Sequence, residues 1–303
     1  MYEVFDVKKY EQMEQLGTKQ KFWYYDNEDN VKKLFKAGRP MTGENWAEKA
    51  TSELASLFGL PAAIYDLAYW EEMQGVITPS FVPKNGRLIH GNELLAKIIT
   101  DYQKEKRYQL REYKLVIVLK LLDLLNKTVS VPIGYKKNSF ISMPMDTFIG
   151  YLVFDCWVAN LDRHHENWGL VLDAEHNKVH LAPTYDHASG LGCRVSDEER
   201  KNRLATKDHQ YTVSAFVQRG KSAFYSNKHK SLRVIDTIKI AMDLNPTATT
   251  YWIERLAEIC HNDIDNIFRN IDEKFITNPA IDFAIEILSV NKKRIKEIKC
   301  VLA

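Results

Sequence analysis

Apolar and polar positions change period part-way along the chain. Tyr2–Val7 alternates, as a strand half-buried on one face must. Lys21–Asp26 is aromatic-rich, which also suits a strand. Asn27–Asn30 is a turn by composition, and Val31–Lys36 is predicted to be its hairpin partner. Arg39-Pro-Met-Thr-Gly breaks the pattern. Thr42 is predicted to N-cap a helix over Glu44–Phe58, where Ala47, Ala50, Leu54, Leu57 and Phe58 recur on one face. Gly59 is placed to end that helix. Ala62–Trp70 and Gly75–Val82 read as two more strands.

From about Pro83 the period becomes helical. Asn92–Lys106 and Tyr108–Asn126 are predicted helices, and Asp146–Asn160 is apolar nearly all round, as a buried helix is. Ser196–Lys230 is polar with weak periodicity and reads as an irregular surface region. Ser231–Asp243, Thr249–His261, Asp263–Lys274 and Ala280–Leu302 read as closing helices. The change of period predicts an α+β fold: mixed elements over 1–82 and a mainly helical part over 83–303.

Composition narrows the function. The 303 residues carry 42 Lys and Arg against 40 Asp and Glu. That balance disfavours a general nucleic-acid binder, which needs a clear basic excess. No apolar run is long enough to span a bilayer, and the N-terminus lacks a basic region followed by an apolar stretch. A cytoplasmic protein, or one delivered as an effector, is the expectation. Cys156, Cys193, Cys260 and Cys300 are far apart and read as reduced, buried thiols. Trp168 and Phe22–Tyr25 read as core rather than as a base-stacking platform, and the basic stretch Arg219–Lys230 as a solvated loop.

The chemistry concentrates in Asn160-Leu-Asp-Arg-His-His-Glu-Asn-Trp-Gly, followed by Thr184-Tyr-Asp-His-Ala-Ser-Gly. Trp168–Leu172 and Lys178–Thr184 are strand-like runs about a turn. A hairpin centred there pairs positions whose numbers sum to roughly 350. Asp162, Asn167 and Asp186 then converge at its open end. Oxygen donors of this kind suit a hard cation such as Mg²⁺, which completes its shell with water and phosphates. Taken alone, Asp162 and Asn167 read as residues that cap a helix or turn; it is Asp186 that shifts the reading to chemistry. The order His-His-Glu-Asn is not H-E-x-x-H, so a zinc protease is excluded.

Asp162-Arg-His-His-Glu-Asn167 with Tyr185-Asp186 resembles the catalytic and metal loops of HipA-like protein kinases, and also the Asp-Arg-His-x-x-Asn loop of phosphoinositide kinases. The resemblance is strongest over about 143–193 and is closest to short, stand-alone members. It implies a two-lobed protein-kinase-like fold, with an N-terminal nucleotide-binding lobe over 1–82 and a helical catalytic lobe over 83–303. It implies Asp162 as the base, His164 beside the chemistry, and Asn167 and Asp186 as metal ligands. Lys36 matches the family's strand lysine; Lys32 and Lys33 are rivals, because a one-residue slip reverses the face. For its carboxylate partner the helix offers Glu48 and Glu53, and the resemblance favours Glu48. Gly17 and Thr18 occupy the only candidate phosphate loop, where the resemblance implies autophosphorylation. Pro79-Ser-Phe81 would meet the adenine. ATP and Mg²⁺ are the implied cofactors, a Ser/Thr protein substrate the implied acceptor, and an antitoxin-like partner the implied restraint on a toxin. A small-molecule or lipid kinase, or a nucleotide-binding docking protein without turnover, shares much of this pattern.

Overall fold

The computed structural model describes residues 1–8, 12–13, 20–26 and 29–300. Strands β1 (Val4–Val7), β2 (Gln12–Met13), β3 (Lys21–Tyr25) and β4 (Lys32–Ala37) precede helix α1 (Glu44–Phe58). Then come β5 (Asp66–Trp70), β6 (Met73–Pro79), β7 (Arg87–His90), α2 (Gly91–Ile98), α3 (Leu115–Leu124), β8 (Val129–Ser130) and α4 (Pro144–Trp157). The remainder is β9 (Gly169–Asp173), β10 (Lys178–Leu181), α5 (Asp197–Ala205), α6 (Val213–Gln218), β11 (Lys221–Tyr225), β12 (Ser231–Arg233), α7 (Val234–Leu244), α8 (Pro246–Glu258), α9 (His261–Arg269) and α10 (Asn278–Cys300). The fold mixes sheets with ten α-helices among the described residues. No helix among them is long and apolar enough to cross a membrane.

A six-stranded sheet, ordered β1-β5-β6-β4-β3-β2, holds the first strands. Its two faces differ. On one, Phe22, Phe35 and Ile77 form a small separate core with Trp70, whose ring lies 4.7 Å from that of Phe22. On the other, Leu67 and Val76 join Ala47, Ala50, Leu54 and Phe58 of α1 in the main core. That core continues through α4, all of whose residues are buried, as an all-round apolar helix requires. A second sheet, ordered β7-β9-β10-β8, carries the β9–β10 hairpin. Leu172 faces Val179 and Leu170 faces Leu181, a register sum of 351 against the roughly 350 expected. Gly169 is required there: a Cβ would stand 2.3 Å from the Ile89 carbonyl of β7.

Several boundaries differ from the sequence reading. Thr42 does not cap α1; Gly43 is the N-cap, and the Thr42 hydroxyl donates to the Arg39 carbonyl at 2.7 Å. Gly59 does end α1, at φ 81°, as a left-handed C-cap. The helices expected over 92–106 and 108–126 are shorter, because Asp101 and Gln109 adopt left-handed backbone (φ 57° and 55°) in the stretch between α2 and α3. The stretch 196–230 is not irregular: Ser196 and Thr212 N-cap α5 and α6, and β11 follows. Cys156 and Cys193 are buried, but Cys260 is exposed and donates to Asp263 at 2.9 Å.

Candidate active site

Strand β4 lies between β3 and β6, and its alternation decides which lysine enters the site. Phe35 pairs with Ile77 and faces the small core, so Lys36 faces α1. The Lys36 ammonium bonds Glu48 at 2.9 Å and Asp186 at 2.5 Å. Burial works against this ammonium, but the carboxylates of Asp186 and Glu48 outweigh it and hold its pKa well above the usual lysine value. Glu48 is 1% exposed. Its other oxygen accepts the backbone N–H of His187 at 2.9 Å, so one α1 carboxylate ties the strand lysine to the loop after β10. The rivals are engaged elsewhere. Lys33 pairs with Asp26 and Asp29, Lys32 stacks over Trp23, and Glu53 pairs with Lys49.

Two loops meet this cluster, and Arg163 joins them. Its guanidinium, 2% exposed, forks onto Asp155 of α4 at 2.8 and 2.7 Å. It also donates to the Asn167 carbonyl and to Thr184 Oγ1, both at 2.8 Å. The loop 160–167 and the start of the loop 184–190 are thereby fixed to one buried helix. Asn167 Nδ2 donates to the Asp162 carbonyl at 2.7 Å, which closes the loop locally and leaves Oδ1 as the amide's acceptor. Asp186 holds φ 59°, a left-handed backbone that is uncommon outside glycine and clusters at functional sites.

Three histidines lie in the two loops. His164 Nδ1 accepts the Glu166 backbone N–H at 3.2 Å, so the neutral ring carries its proton on Nε2. Burial lowers its pKa to about 4, although Asp186 and Glu166 pull the other way. His165 is likewise lowered by burial to about 4; its Nδ1 meets the Tyr102 hydroxyl at 2.8 Å. His187 is buried against Thr184 and Arg163 and held well below the usual histidine value, first by burial and then by Arg163. The Tyr108 hydroxyl bonds the Asp162 carboxylate.

Pro79 ends β6 opposite Lys33, and Phe81 stacks on Tyr185 with centroids 5.4 Å apart. The Tyr185 hydroxyl reaches the Glu166 carbonyl at 2.8 Å, which seats this ring pair on the 160–167 loop. Gly17 and Thr18 lie outside the described residues. No group of three or more His, Cys, Asp or Glu side chains is arranged to hold a metal among the described residues. The oxygens available to a hard cation are those of Asn167 and of Asp186, whose side chain is 40% exposed. Sequence reasoning missed Asp155 and Arg163 as the anchor and Tyr108 as the neighbour of Asp162. The one usable signal was Asp155 and Arg163, two charged residues flanking the end of an otherwise apolar helix, since buried charges come in pairs.

No protein-family profile matches the chain, and a search of curated proteins finds no match. Solved structures do. The chain is similar to the Helicobacter pylori proinflammatory kinase CtkA, at a TM-score of 0.75 and 19% identity, over 98% of this chain and 97% of that one. It is also similar to the Shewanella oneidensis MR-1 toxin–antitoxin protein HipA, solved with HipB and operator DNA. There the TM-score is 0.58 and the identity 12%, over 94% of this chain and 64% of that one. The mixed α/β fold is shared with these two proteins.

Proposed function

We propose that this chain, which shares its fold with CtkA and HipA, is a HipA-like kinase that uses ATP and Mg²⁺ to phosphorylate serine or threonine of a protein acceptor. The observation that carries this reading is the Lys36–Glu48–Asp186 cluster. A strand cation held by a helix carboxylate, next to a metal-loop aspartate, is the arrangement phosphoryl transfer needs on the phosphates of ATP. The nucleotide would lie between a lobe spanning 1–82 and one spanning 83–303. Its adenine would meet Pro79-Ser-Phe81, beside the Phe81–Tyr185 ring pair, and Gly17 and Thr18 would approach the phosphates.

Asn167 and Asp186 offer only oxygen to a cation, which fits Mg²⁺. Bound there, the ion supplies positive charge against the β- and γ-phosphates. The residues of this chain do the rest. Asp162 takes the proton of the acceptor hydroxyl as its oxygen bonds the γ-phosphorus and the bridge to the β-phosphate breaks, releasing ADP. His164, neutral at pH 7, is a poor base, and its Nε2–H serves as a donor to a reacting oxygen. Lys36 holds charge on the phosphates, and Glu48 positions it. Thr18 is the proposed site of autophosphorylation, where a phosphate would repel ATP and restrain the enzyme. The HipA–HipB complex supports an antitoxin-like partner as a second restraint.

Mass spectrometry after incubation with ATP and Mg²⁺ tests this reading. Phosphate is expected on the wild-type chain, or on an added protein acceptor, and on neither with Asp162→Ala. ATP left intact by the wild type, with no phosphate on any protein, overturns it. Phosphate confined to residues other than Thr18 removes only the regulatory part.

A further inference from the structure

Charge is unevenly spread over this nearly neutral chain. Between positions 209 and 235 there is no Asp or Glu, while Arg219, Lys221, Lys228, Lys230 and Arg233 all fall there. The stretch 103–112 adds Lys104, Lys106, Arg107 and Arg111 against Glu105 and Glu112. With an overall net charge of +2, the rest of the molecule is net acidic. The fold brings these two basic stretches together. Tyr225 of β11 donates its backbone N–H to the Tyr113 carbonyl at 2.9 Å and bridges to Lys114.

Between the stretches lie two adjoining cavities that share Gln109 and Tyr225. The first, about 170 Å³, is lined by Tyr108, Leu161 and Lys221; the second, about 450 Å³, by Lys106, Arg111 and Glu112. The first lies next to the proposed base, since it is lined by Tyr108, which bonds Asp162, and by Leu161, which precedes it. Arg107 is spent on Glu166 of the loop, but Lys106, Arg111 and Lys221 are exposed. A segment presenting a hydroxyl to Asp162 would have this cationic groove beside it.

Resting on the kinase reading, we propose that this groove binds the acceptor, and that the acceptor is a protein segment with Asp or Glu flanking the phosphorylated hydroxyl. Spaced carboxylates can meet Lys221, Lys106 and Arg111 in turn while avoiding Glu112. A continuous phosphate backbone cannot avoid it, and the small first cavity has the size of one or two amino-acid side chains.

The test is fluorescence anisotropy with a labelled threonine peptide flanked by glutamates, against the same peptide flanked by lysines or alanines. A nonhydrolysable ATP analogue is present, and phosphate transfer to the same peptides is measured in parallel. The glutamate peptide is expected to bind best, more weakly as salt rises, and roughly tenfold more weakly to Lys106→Glu/Lys221→Glu. In that variant KM for the peptide should rise, while phosphorylation of the lysine peptide falls no further. Equal binding of all three peptides, or no loss in the variant, overturns the proposal. Preference for a single-stranded RNA competitor over the glutamate peptide overturns it too, in favour of a nucleic-acid surface. Selective binding without any phosphate transfer keeps the groove and overturns the kinase reading instead.

Discussion

Lys33 and Lys36 lie one helical-turn's worth of residues apart on the same strand, on opposite faces, and each holds two carboxylates. Their side chains are equally covered, 12% exposed in both. The difference is where the partners come from. Lys33 takes Asp26 and Asp29 from its own hairpin, and Asp29 is 47% exposed. Lys36 takes Glu48 from α1 and Asp186 from a loop 150 residues on. The first cluster closes one turn, and water competes for it. The second closes three separate parts of the fold, and although Asp186 is 40% exposed, Glu48 lies out of reach of water. A surface pair of the first kind contributes little to stability. The second stores a site, because its groups cannot relax apart without moving the elements that carry them.

The largest effect should come from the anchor beneath the distant cluster. Arg163→Met leaves Asp155 buried without its partner and should lower stability by about 3 to 5 kcal/mol, measured by denaturant unfolding. An unchanged midpoint would mean that the two loops are held without Arg163. Next, Lys36→Ala should keep the fold and reduce phosphate transfer by about 10²–10³, read in a steady-state kinase assay. Acid should also act on the loop that Arg163 anchors, since His165 is buried there. His165 has a folded pKa of about 4 against an unbound value of 6.5. The unfolded chain therefore takes the proton first. Stability should be full above pH 6.5 and fall toward pH 4, by about 1.4 kcal/mol per pH unit for each such histidine. Thermal unfolding of His165→Gln should show a shallower decline over that window than the wild type. Glu48→Gln keeps the shape and removes a charge, so a rate loss of roughly tenfold is expected, near the weight of one charge-assisted hydrogen bond. The smallest effect sharpens the contrast most: Lys33→Ala should leave the rate within roughly twofold. If Lys33→Ala loses activity and Lys36→Ala does not, the comparison is inverted.

Much of this was legible from residue order because it depends on local periodicity. The all-apolar run that became α4, the helix ended by Gly59, and the β9–β10 hairpin with its register all follow from neighbours within a few residues. The same hairpin arithmetic places Asn167 near Thr184, where Arg163 bonds both. The helices α5 and α6 escaped because capping by Ser196 and Thr212, not apolar periodicity, defines them.

Composition and spacing alone therefore determined the mixed fold and the loop that brings Asp162 and Asn167 together. They left Lys32, Lys33 and Lys36 equivalent, and Glu48 against Glu53 undecided, because strand register and helix rotation depend on what each face packs against. Tertiary structure decided both. Phe35 entering the small aromatic core turned Lys36 toward α1, and the His187 N–H turned Glu48 to meet it. It also seated Arg163 in the interior, since a buried guanidinium is tolerated only where a carboxylate, a carbonyl and a hydroxyl from three segments converge on it.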